Sequence, residues 1–491
     1  MKRTNHLSIQ ARRISVALRL LALTSILATA QMATAASPSD LLEQGLYSEE
    51  TKGDVDAALK LYQQVVAEAK AGQAVAAQAQ YRLGICYYKK KNYVEANAAF
   101  GRVVRDYPDQ TDLIQLANKY LANAIPLMPA PWVDGEEMQF DIKFPTGFKI
   151  GAASYQVNSG ETNGQKIWRL RSHLYAGSQQ SSRVEVEADS FKPIHCRWRI
   201  NVIGVADVTY SGALAKLRTF PKDESREIDL GGLAYDNEEV IQLMRRLPLA
   251  DGYKVPLRFF TGLGGGNVIS VQIEVTGEEK VEVPAGTFDC CKVELGKFNQ
   301  TLWYSTDAHH YLVKFEDGGV IGVLTSVTQR KAGDPAPYLD PLLNFSLAAP
   351  ADWLFFRTDA KDEKDKVRVI AVDPEAIGTS IVNVGSRKSL WPEAQNSLRA
   401  WADKEIADGE GSKVLKELTV RPESWKDRPV AGRPGLSFVG DFVDGKEKKI
   451  GYAVFTFGET NAATFVLLIQ AKDFEGFLPK FDAIVDSYKE K

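Results

Sequence analysis

Cysteine and histidine are scarce in this chain, whose 491 residues include four cysteines and five histidines. Four cysteines allow a disulfide in an exported protein, but their spacing is not that of a disulfide framework. After the first few residues the histidines are His173, His195, His309 and His310. None of them stands in the H-x-x-x-H or H-x-H spacing that binds zinc. The sequence therefore predicts neither a metal site nor a cofactor.

Motifs of common catalytic sites are also missing. The sequence has neither the nucleophile elbow G-x-S-x-G nor a Walker loop. Its glycine-rich stretch from Thr261 to Gly266 leads into a strand pattern, whereas a phosphate-binding loop needs a following helix. That stretch therefore predicts a hairpin loop. No catalytic residue is predicted, although a hydrolase acting on envelope polymers remains an alternative, because the two acids of a glycosidase can lie far apart in a chain.

Long apolar runs are absent after the N-terminal region, where none reaches the roughly 18 residues that a membrane-spanning helix needs. The N-terminal region itself has basic residues, an apolar run from Leu20 to Ala30, and Ala33 and Ala35 in an A-x-A arrangement. This combination is typical of a secretory signal peptide, which we place at residues 1–35. An N-terminal anchor helix is the alternative. We expect a periplasmic or secreted protein.

An excess of positive charge is lacking as well. The chain carries 60 basic and 63 acidic residues, and five of the basic ones precede residue 36, so the exported part would have a net charge of −8. This mildly acidic balance disfavours nucleic acid and anionic membranes as partners. A protein partner and an apolar ligand stay open.

Two proline-rich joints divide the exported part. They run from Pro126 to Glu137 and from Ala332 to Pro341. Proline removes backbone donors and resists both helix and central strand, so such runs usually lie between packed units. We predict a multidomain α+β protein with segments 38–125, 131–330 and 340–491.

The first segment, residues 38–125, has a helical period and an internal repeat. Ala58 lies four positions before Tyr62, and 38 residues later Ala96 lies four positions before Phe100. The second copy is fuller, whereas Gly45 in the first falls out of register. The spacing resembles the tetratricopeptide repeat, a helical hairpin. The positions that carry the resemblance are Ala58, Tyr62, Leu83, Gly84, Tyr87, Ala96, Phe100 and Pro108. The resemblance implies either a protein-docking surface or a helical cap on the next domain.

The second segment, residues 131–330, changes to the period of two that is typical of strands. Residues 183–200 predict an antiparallel hairpin that buries Val184, Val186, Cys196 and Trp198. On its outer face, Glu185 and Glu187 are expected opposite Arg197 and Arg199, as stabilising cross-strand pairs. One helix is predicted within this segment. Asp236 or Asn237 would cap it, and Pro248 would end it. Its inward positions would be Val240, Leu243, Met244 and Leu247.

Cys290 and Cys291 stand next to each other on a predicted strand, so their side chains should point to opposite faces. Cys291 shares its face with Val293 and Leu295 and is expected in the core, whereas Cys290 is expected on the polar face. Such a pair cannot bind one metal ion without distortion of the strand. We interpret both thiols as incidental to function.

The stretch before these cysteines resembles a periplasmic bacterial family of unknown function. The shared turn consists of Val283, Pro284, Ala285, Gly286, Thr287 and Phe288. A W-x-S-x-D pattern follows at Trp303, Ser305 and Asp307, and the match extends over most of 134–328. The resemblance implies a curved antiparallel sheet around a helix, similar to lipoprotein-carrier folds. It implies no catalytic residues, but it makes a lipid or lipoprotein carrier an alternative function.

The third segment, about 342–491, predicts strands and two amphipathic helices, one with Leu398, Trp401 and Ile406 inward. Its opening F-S-L and closing F-x-x-I-V-x-S-Y resemble the PsbP-like α/β/α sandwich, which implies a non-catalytic docking domain. Taken together, the sequence predicts a non-enzymatic exported envelope protein that docks a protein or binds a ligand.

Overall fold

The computed structural model describes residues 36–490 apart from short internal gaps. The predicted signal peptide lies outside the described residues. The gaps are 69–71, 91, 122–124, 126, 202, 232, 263–264, 297, 359–365, 376–378, 387–396, 411–415 and 445–446. The chain divides into two compact units, one reaching Ala117 and the other starting at Asn118.

The N-terminal unit is helical, as the 3.6-residue period predicts. A π-helical turn, Tyr47–Thr51, directly follows its first helix. The helices are α1 (Pro38–Leu46), α2 (Val55–Ala67), α3 (Gln73–Lys89), α4 (Tyr93–Asp106) and α5 (Thr111–Leu121), the last of which reaches the second unit. Tyr62 and Phe100 are fully buried within it. The short helical segment is thus confirmed.

A single fifteen-stranded sheet forms the first part of the second unit. Neighbouring strands are antiparallel except β9 and β10, and β1 lies between β2 and β15. The strands are β1 (Glu136–Lys143), β2 (Lys149–Thr162), β3 (Gln165–Ala176), β4 (Ser178–Glu187), β5 (Pro193–Ile200), β6 (Gly204–Ser211), β7 (Leu214–Phe220), β8 (Glu224–Asp229), β9 (Tyr235–Asp236), β10 (Lys254–Thr261), β11 (Asn267–Val283), β12 (Gly286–Leu295), β13 (Gln300–Ser305), β14 (Leu312–Asp317) and β15 (Val320–Gln329). This is the predicted antiparallel β domain.

The predicted helix of this domain is present but shorter than expected. Asp236 caps a 3₁₀ turn, Asn237–Glu239, that leads into helix α6, Val240–Met244. The four apolar positions expected to face inward are all buried. The α-helix ends four residues before Pro248, because Arg246 and Leu247 donate their N–H groups to carbonyls three residues earlier and close tighter turns.

The β4–β5 hairpin buries the predicted face, but its outer-face pairs differ from the prediction. Glu185 lies opposite His195, and a register shift separates Glu185 from Val186. Glu185 therefore pairs with Arg169 of β3 at 3.0 Å, and Arg197 pairs with Asp207 of β6 at 3.1 Å. The expected pairing of Glu185 and Glu187 with the arginines is wrong, because the register of the hairpin places Arg197 opposite Arg183 and His195 opposite Glu185.

The C-terminal part has helices on both faces of a second antiparallel sheet. Helix α7 (Leu398–Glu410) packs through Trp401 against Phe455, while α8 (Phe474–Asp486) lies on the face of Phe465 and Leu467. The strands of this sheet are β18 (Leu354–Arg357), β19 (Val367–Val372), β20 (Thr379–Ser386), β21 (Lys416–Val420), β22 (Lys426–Asp427), β23 (Gly435–Asp444), β24 (Glu447–Phe457) and β25 (Asn461–Gln470). A separate three-stranded sheet consists of β16 (Ala336–Asp340), β17 (Phe345–Ala349) and β26 (Lys489–Glu490). The predicted α/β/α layering is thus present.

Polar contacts join the β domain to this C-terminal part. Arg171 and Arg183 both pair with Asp352, and Ser181 donates to the carbonyl of Pro374 at 2.9 Å. Tyr175 adds a ring contact with Phe356, their centroids 5.7 Å apart. These contacts explain why the two parts form one compact unit.

Candidate ligand site

Helix α6 is held by strands from separate parts of the fifteen-stranded sheet. The hydroxyl of Tyr304 on β13 donates to the carbonyl of Ile241 at 3.1 Å. From the end of α6, Arg245 donates to Glu136 of β1 at 2.7 Å. The sheet therefore curves around the helix, as the family resemblance implied.

A groove of about 400 Å³ opens above α6, between strands β2–β4 on one side and β10–β14 on the other. Such a volume lies within the range of small-molecule pockets. Its floor includes Val240 and Ile241 of α6. The apolar side chains of its walls are Leu174, Phe259, Ile269, Leu295, Leu302 and Phe315. The groove thus combines strands that are distant in sequence into one mainly apolar site.

An acidic residue, Glu238, lies at one end of this groove, just before α6. Its carboxylate accepts from the side-chain amide of Asn237 at 3.3 Å, and the side chains of Gln180 and Ser182 on β4 lie near it. Burial, reinforced by the neighbouring charge of Asp236, raises the pKa of Glu238 to about 7. Glu238 therefore changes its charge near neutral pH.

The two acids on either side of Glu238 have local structural partners. Asp236 accepts from the N–H of Glu238 at 2.8 Å, and Glu239 accepts from the N–H of Asp236 at 3.0 Å, which completes a capping box. Tyr210 also donates to Asp236. Burial raises the pKa values of both Asp236 and Glu239. These two carboxyls stabilise the start of the helix.

A second carboxylate, Asp317, lines the groove at the end of β14. It accepts from the side-chain amide of Gln300 at 2.8 Å. Burial raises the pKa of the Tyr155 phenol, and the charges of Glu238 and Asp317 add to that effect. Tyr155 is therefore within electrostatic range of both carboxylates.

Positive charge is missing from the described lining of the groove, which includes neither lysine nor arginine. Its one histidine, His173, is buried, and this burial lowers its pKa to about 4. His173 is therefore neutral at physiological pH. The site has a negative electrostatic character.

Two arginines that follow α6 fix the surrounding structure. Arg245 is fully buried, and besides Glu136 it bonds the carbonyl of His309 at 2.8 Å. Arg246 donates to the carbonyls of Met128 at 2.8 Å and Asp189 at 2.9 Å. The first proline-rich joint is thereby tied to the β domain. Neither arginine lines the groove.

The turn predicted from residues 283–288 is a hairpin loop between β11 and β12. Val283 pairs with Gly286, which leaves Pro284 and Ala285 as the two loop residues. The N–H of Ala285 donates to Leu324 of β15 at 3.2 Å. This turn, with Thr287 and Phe288, lies outside the groove lining. The glycine-rich stretch after Thr261 likewise connects two antiparallel strands, β10 and β11.

All four cysteines are free and buried. Cys291 lies in the core as predicted, but the prediction that Cys290 lies on a polar face is wrong, because Cys290 is 0% exposed. The strand opposite places Ser305 beside Cys290, and the buried Trp303 lies one pair further along the same face. That face of β12 is therefore covered at Cys290, although Glu294 further along it is exposed.

The repeat positions of the helical unit are brought together in pairs. A Cβ atom on Gly84 would lie 2.5 Å from the ring of Phe100, so only glycine allows this contact. Ala58, Ala96 and Leu83 are buried between the helices, Tyr87 is partly buried, and Pro108 follows the end of α4. These residues build the unit and do not form a ligand pocket.

Sequence alone missed the groove residues. Glu238 fell inside the predicted helix without a role of its own, and Tyr155 and Asp317 were not singled out. The available signal was three acids within Asp236–Glu239, directly before an apolar helix that must be buried.

Within the described residues no group of three His, Cys, Asp or Glu is arranged to hold a metal ion. The described part of the chain also has no helix that is long and apolar enough to cross a membrane.

Comparison with known families supports two of the sequence resemblances. Residues 139–326 match a protein family of unknown function, DUF3108, and residues 47–111 match the tetratricopeptide repeat. Comparison with curated proteins gave no match.

Solved structures resemble the chain only weakly. Cyanobacterial PsbP from Synechocystis is 12% identical with a TM-score of 0.25, and the match covers 33% of this chain and 95% of that one. The Pseudomonas aeruginosa MucA/MucB complex is 10% identical with a TM-score of 0.17, and the match covers 77% of this chain and 98% of that one. The immunity protein TplEi of the same organism is 9% identical with a TM-score of 0.20, and the match covers 58% of this chain and 96% of that one. Scores this low carry no argument about function.

Proposed function

We propose that this protein is a non-enzymatic, exported binding protein of the cell envelope, whose β domain holds an apolar ligand in the groove above α6. The groove of about 400 Å³, with its apolar walls, carries this proposal. The signal-peptide pattern at residues 1–35 supports export. The capping roles of Asp236 and Glu239 favour binding over hydrolysis, because these carboxyls are already used by the backbone.

Binding of N-phenylnaphthylamine, a neutral apolar fluorophore, tests the proposal. Ile269 lines the groove, so Ile269→Trp should fill part of it and weaken binding at least about tenfold. Thr276→Trp is the matched control, because Thr276 is exposed on the same strand and lies outside the groove. Equal binding by both variants would refute an apolar site in the groove. Bound lipid in native mass spectra of the purified chain would favour the carrier alternative.

Docking of a protein partner by the helical unit is a second candidate. In the π-helical turn the aromatic side chain of Tyr47 is 54% exposed. We infer that Tyr47 lies in the docking surface. A photo-cross-linking amino acid at position 47 should give one dominant adduct in cells, whereas the same group at the exposed Lys60 of α2 should not. Similar adduct patterns at both positions would contradict this role.

A further inference from the structure

We propose that the ligand of the groove is an apolar chain that ends in an ammonium group, held by the carboxylates of Glu238 and Asp317. This inference rests on the proposed binding function and adds the chemistry of the ligand's head group.

The charged residues of the groove lining indicate the sign of the ligand's head group. The two ionisable groups that can be charged at neutral pH are both carboxylates, and the described lining contains no lysine or arginine. An anionic head group would be desolvated in the groove without a cationic partner, which is unfavourable. A cationic head group would gain such a partner. The groove therefore selects against fatty acids and for amines.

Aromatic rings of the groove lining also favour a cation. Tyr155, Phe259, Phe298 and Phe315 all line the same groove. The faces of such rings attract cations, most strongly where water is excluded. Tyr155 is in addition close enough to both carboxylates for their charges to affect its phenol. An ammonium group near Tyr155 would thus be attracted by an aromatic ring and by the charges of both carboxylates.

The position of Glu238 indicates where the cationic end of the ligand would lie. Its carboxylate accepts from Asn237 at 3.3 Å, while the next two residues, Glu239 and Val240, belong to the capped start of α6. The carboxylate therefore has a fixed place where the polar end of the groove meets its apolar floor. A ligand that is apolar along its chain and cationic at its end fits both environments.

Competition against N-phenylnaphthylamine tests the head-group preference with three ligands of equal chain length: decylamine, decanol and decanoate. We expect decylamine to displace the fluorophore at a concentration about tenfold lower than decanol, the effect of one charge-assisted hydrogen bond. Decanoate should be the weakest of the three. Equal competition by all three would refute the head-group assignment but leave apolar binding intact, whereas failure of the fluorophore itself to bind would refute the proposed function.

Substitutions of the two carboxylates test where the ammonium group binds. Asp317→Asn and Glu238→Gln should each reduce the ratio of the affinity for decylamine to the affinity for decanol several-fold. Glu316→Gln is the matched control, because Glu316 neighbours Asp317 on β14, pairs with Lys314 at 2.7 Å and lies outside the groove. If Glu316→Gln reduced the preference as much as Asp317→Asn, the effect would come from net charge and the proposed site would be wrong. Asp317 is exposed, so its substitution should leave folding intact.

Discussion

Gly45 of α1 lies directly against the ring of Tyr62 in α2: a Cβ atom at position 45 would be 2.4 Å from the nearest ring carbon. Gly84 and Phe100 repeat this relationship in the next helical pair. The first copy of the repeat is therefore complete in space, although its glycine is out of register in sequence. From Gly45 to Tyr62 there is one residue more than from Gly84 to Phe100. The π-helical turn at Tyr47–Thr51 takes up this extra residue.

Substitution of Gly45 tests the packing of the first repeat. Gly45→Ala places a methyl group inside the ring contact, and overpacking of this kind costs about 1–3 kcal/mol. Urea unfolding followed by circular dichroism should show this loss of stability. Gly72→Ala is the control, because Gly72 precedes α3 with φ −56° and a Cβ atom there would meet nothing within 4 Å. Equal stability of both variants would mean that α1 is not packed on Tyr62.

The helical unit also indicates what sequence can and cannot predict. Small and aromatic residues at helical spacing identified the second copy, because their pattern is local. A one-residue insertion changes the spacing, so the repeat is no longer recognised in the sequence even where the three-dimensional contact is kept. In the β domain, alternation correctly predicted the buried face of the β4–β5 hairpin, since burial of Val184 and Cys196 depends on parity alone. The register depends on a bulge at Glu185, which alternation does not encode.

The charge of Glu238 predicts a pH dependence of stability. Its pKa is raised in the folded state to about 7, so the folded protein holds this proton more tightly than the unfolded chain. Stability should therefore fall as pH rises from about 4.5 to 7, where the unfolded state releases its proton first. The raised pKa values of Asp236 and Glu239 act in the same direction.

Comparison of wild type with Glu238→Gln isolates this contribution. The variant cannot ionise at position 238, so its free energy of unfolding should fall less between pH 5 and pH 7.5, by up to about 2 kcal/mol. Urea unfolding at the two pH values gives the measurement. Parallel loss of stability in both proteins would show that Glu238 titrates normally.

The buried pair of Arg245 and Glu136 predicts a large stability effect from a single substitution. Arg245→Met leaves the carboxylate of Glu136, itself 3% exposed, without its cation. Uncompensated buried charges of this kind cost about 3–5 kcal/mol. The expected result is a matching decrease in the free energy of unfolding of the β domain.

A surface pair supplies the control for this comparison. Arg218 and Asp223 are in contact, but their side chains are 54% and 55% exposed. Exposed pairs contribute about 0.2–1 kcal/mol, so Arg218→Met should be almost neutral. Similar losses from both substitutions would mean that Arg245 is not enclosed as the structure has it.

The groove itself was beyond prediction from sequence for a physical reason. Tyr155, Phe259 and Phe315 come from strands that are far apart in the chain, and curvature of the sheet brings them together. Periodicity assigns such residues to an inner face but does not distinguish a filled core from an open groove. Glu238 was recognisable only as a residue of the predicted helix, since its proximity to Gln180 and Ser182 of β4 is non-local.

The burial of all four thiols predicts their chemical behaviour. Burial raises the pKa of Cys86 to about 12, with the nearby charge of Glu49 adding to the effect, and burial likewise raises the pKa of Cys290 to about 12. The thiolate is the form that reacts, so iodoacetamide at pH 8 should leave the native protein unmodified and label all four cysteines in urea. Mass spectrometry of both samples counts the added groups. Rapid labelling of Cys290 in the native protein would contradict its burial, whereas labelling at the slow rate of unfolding supports a purely structural role.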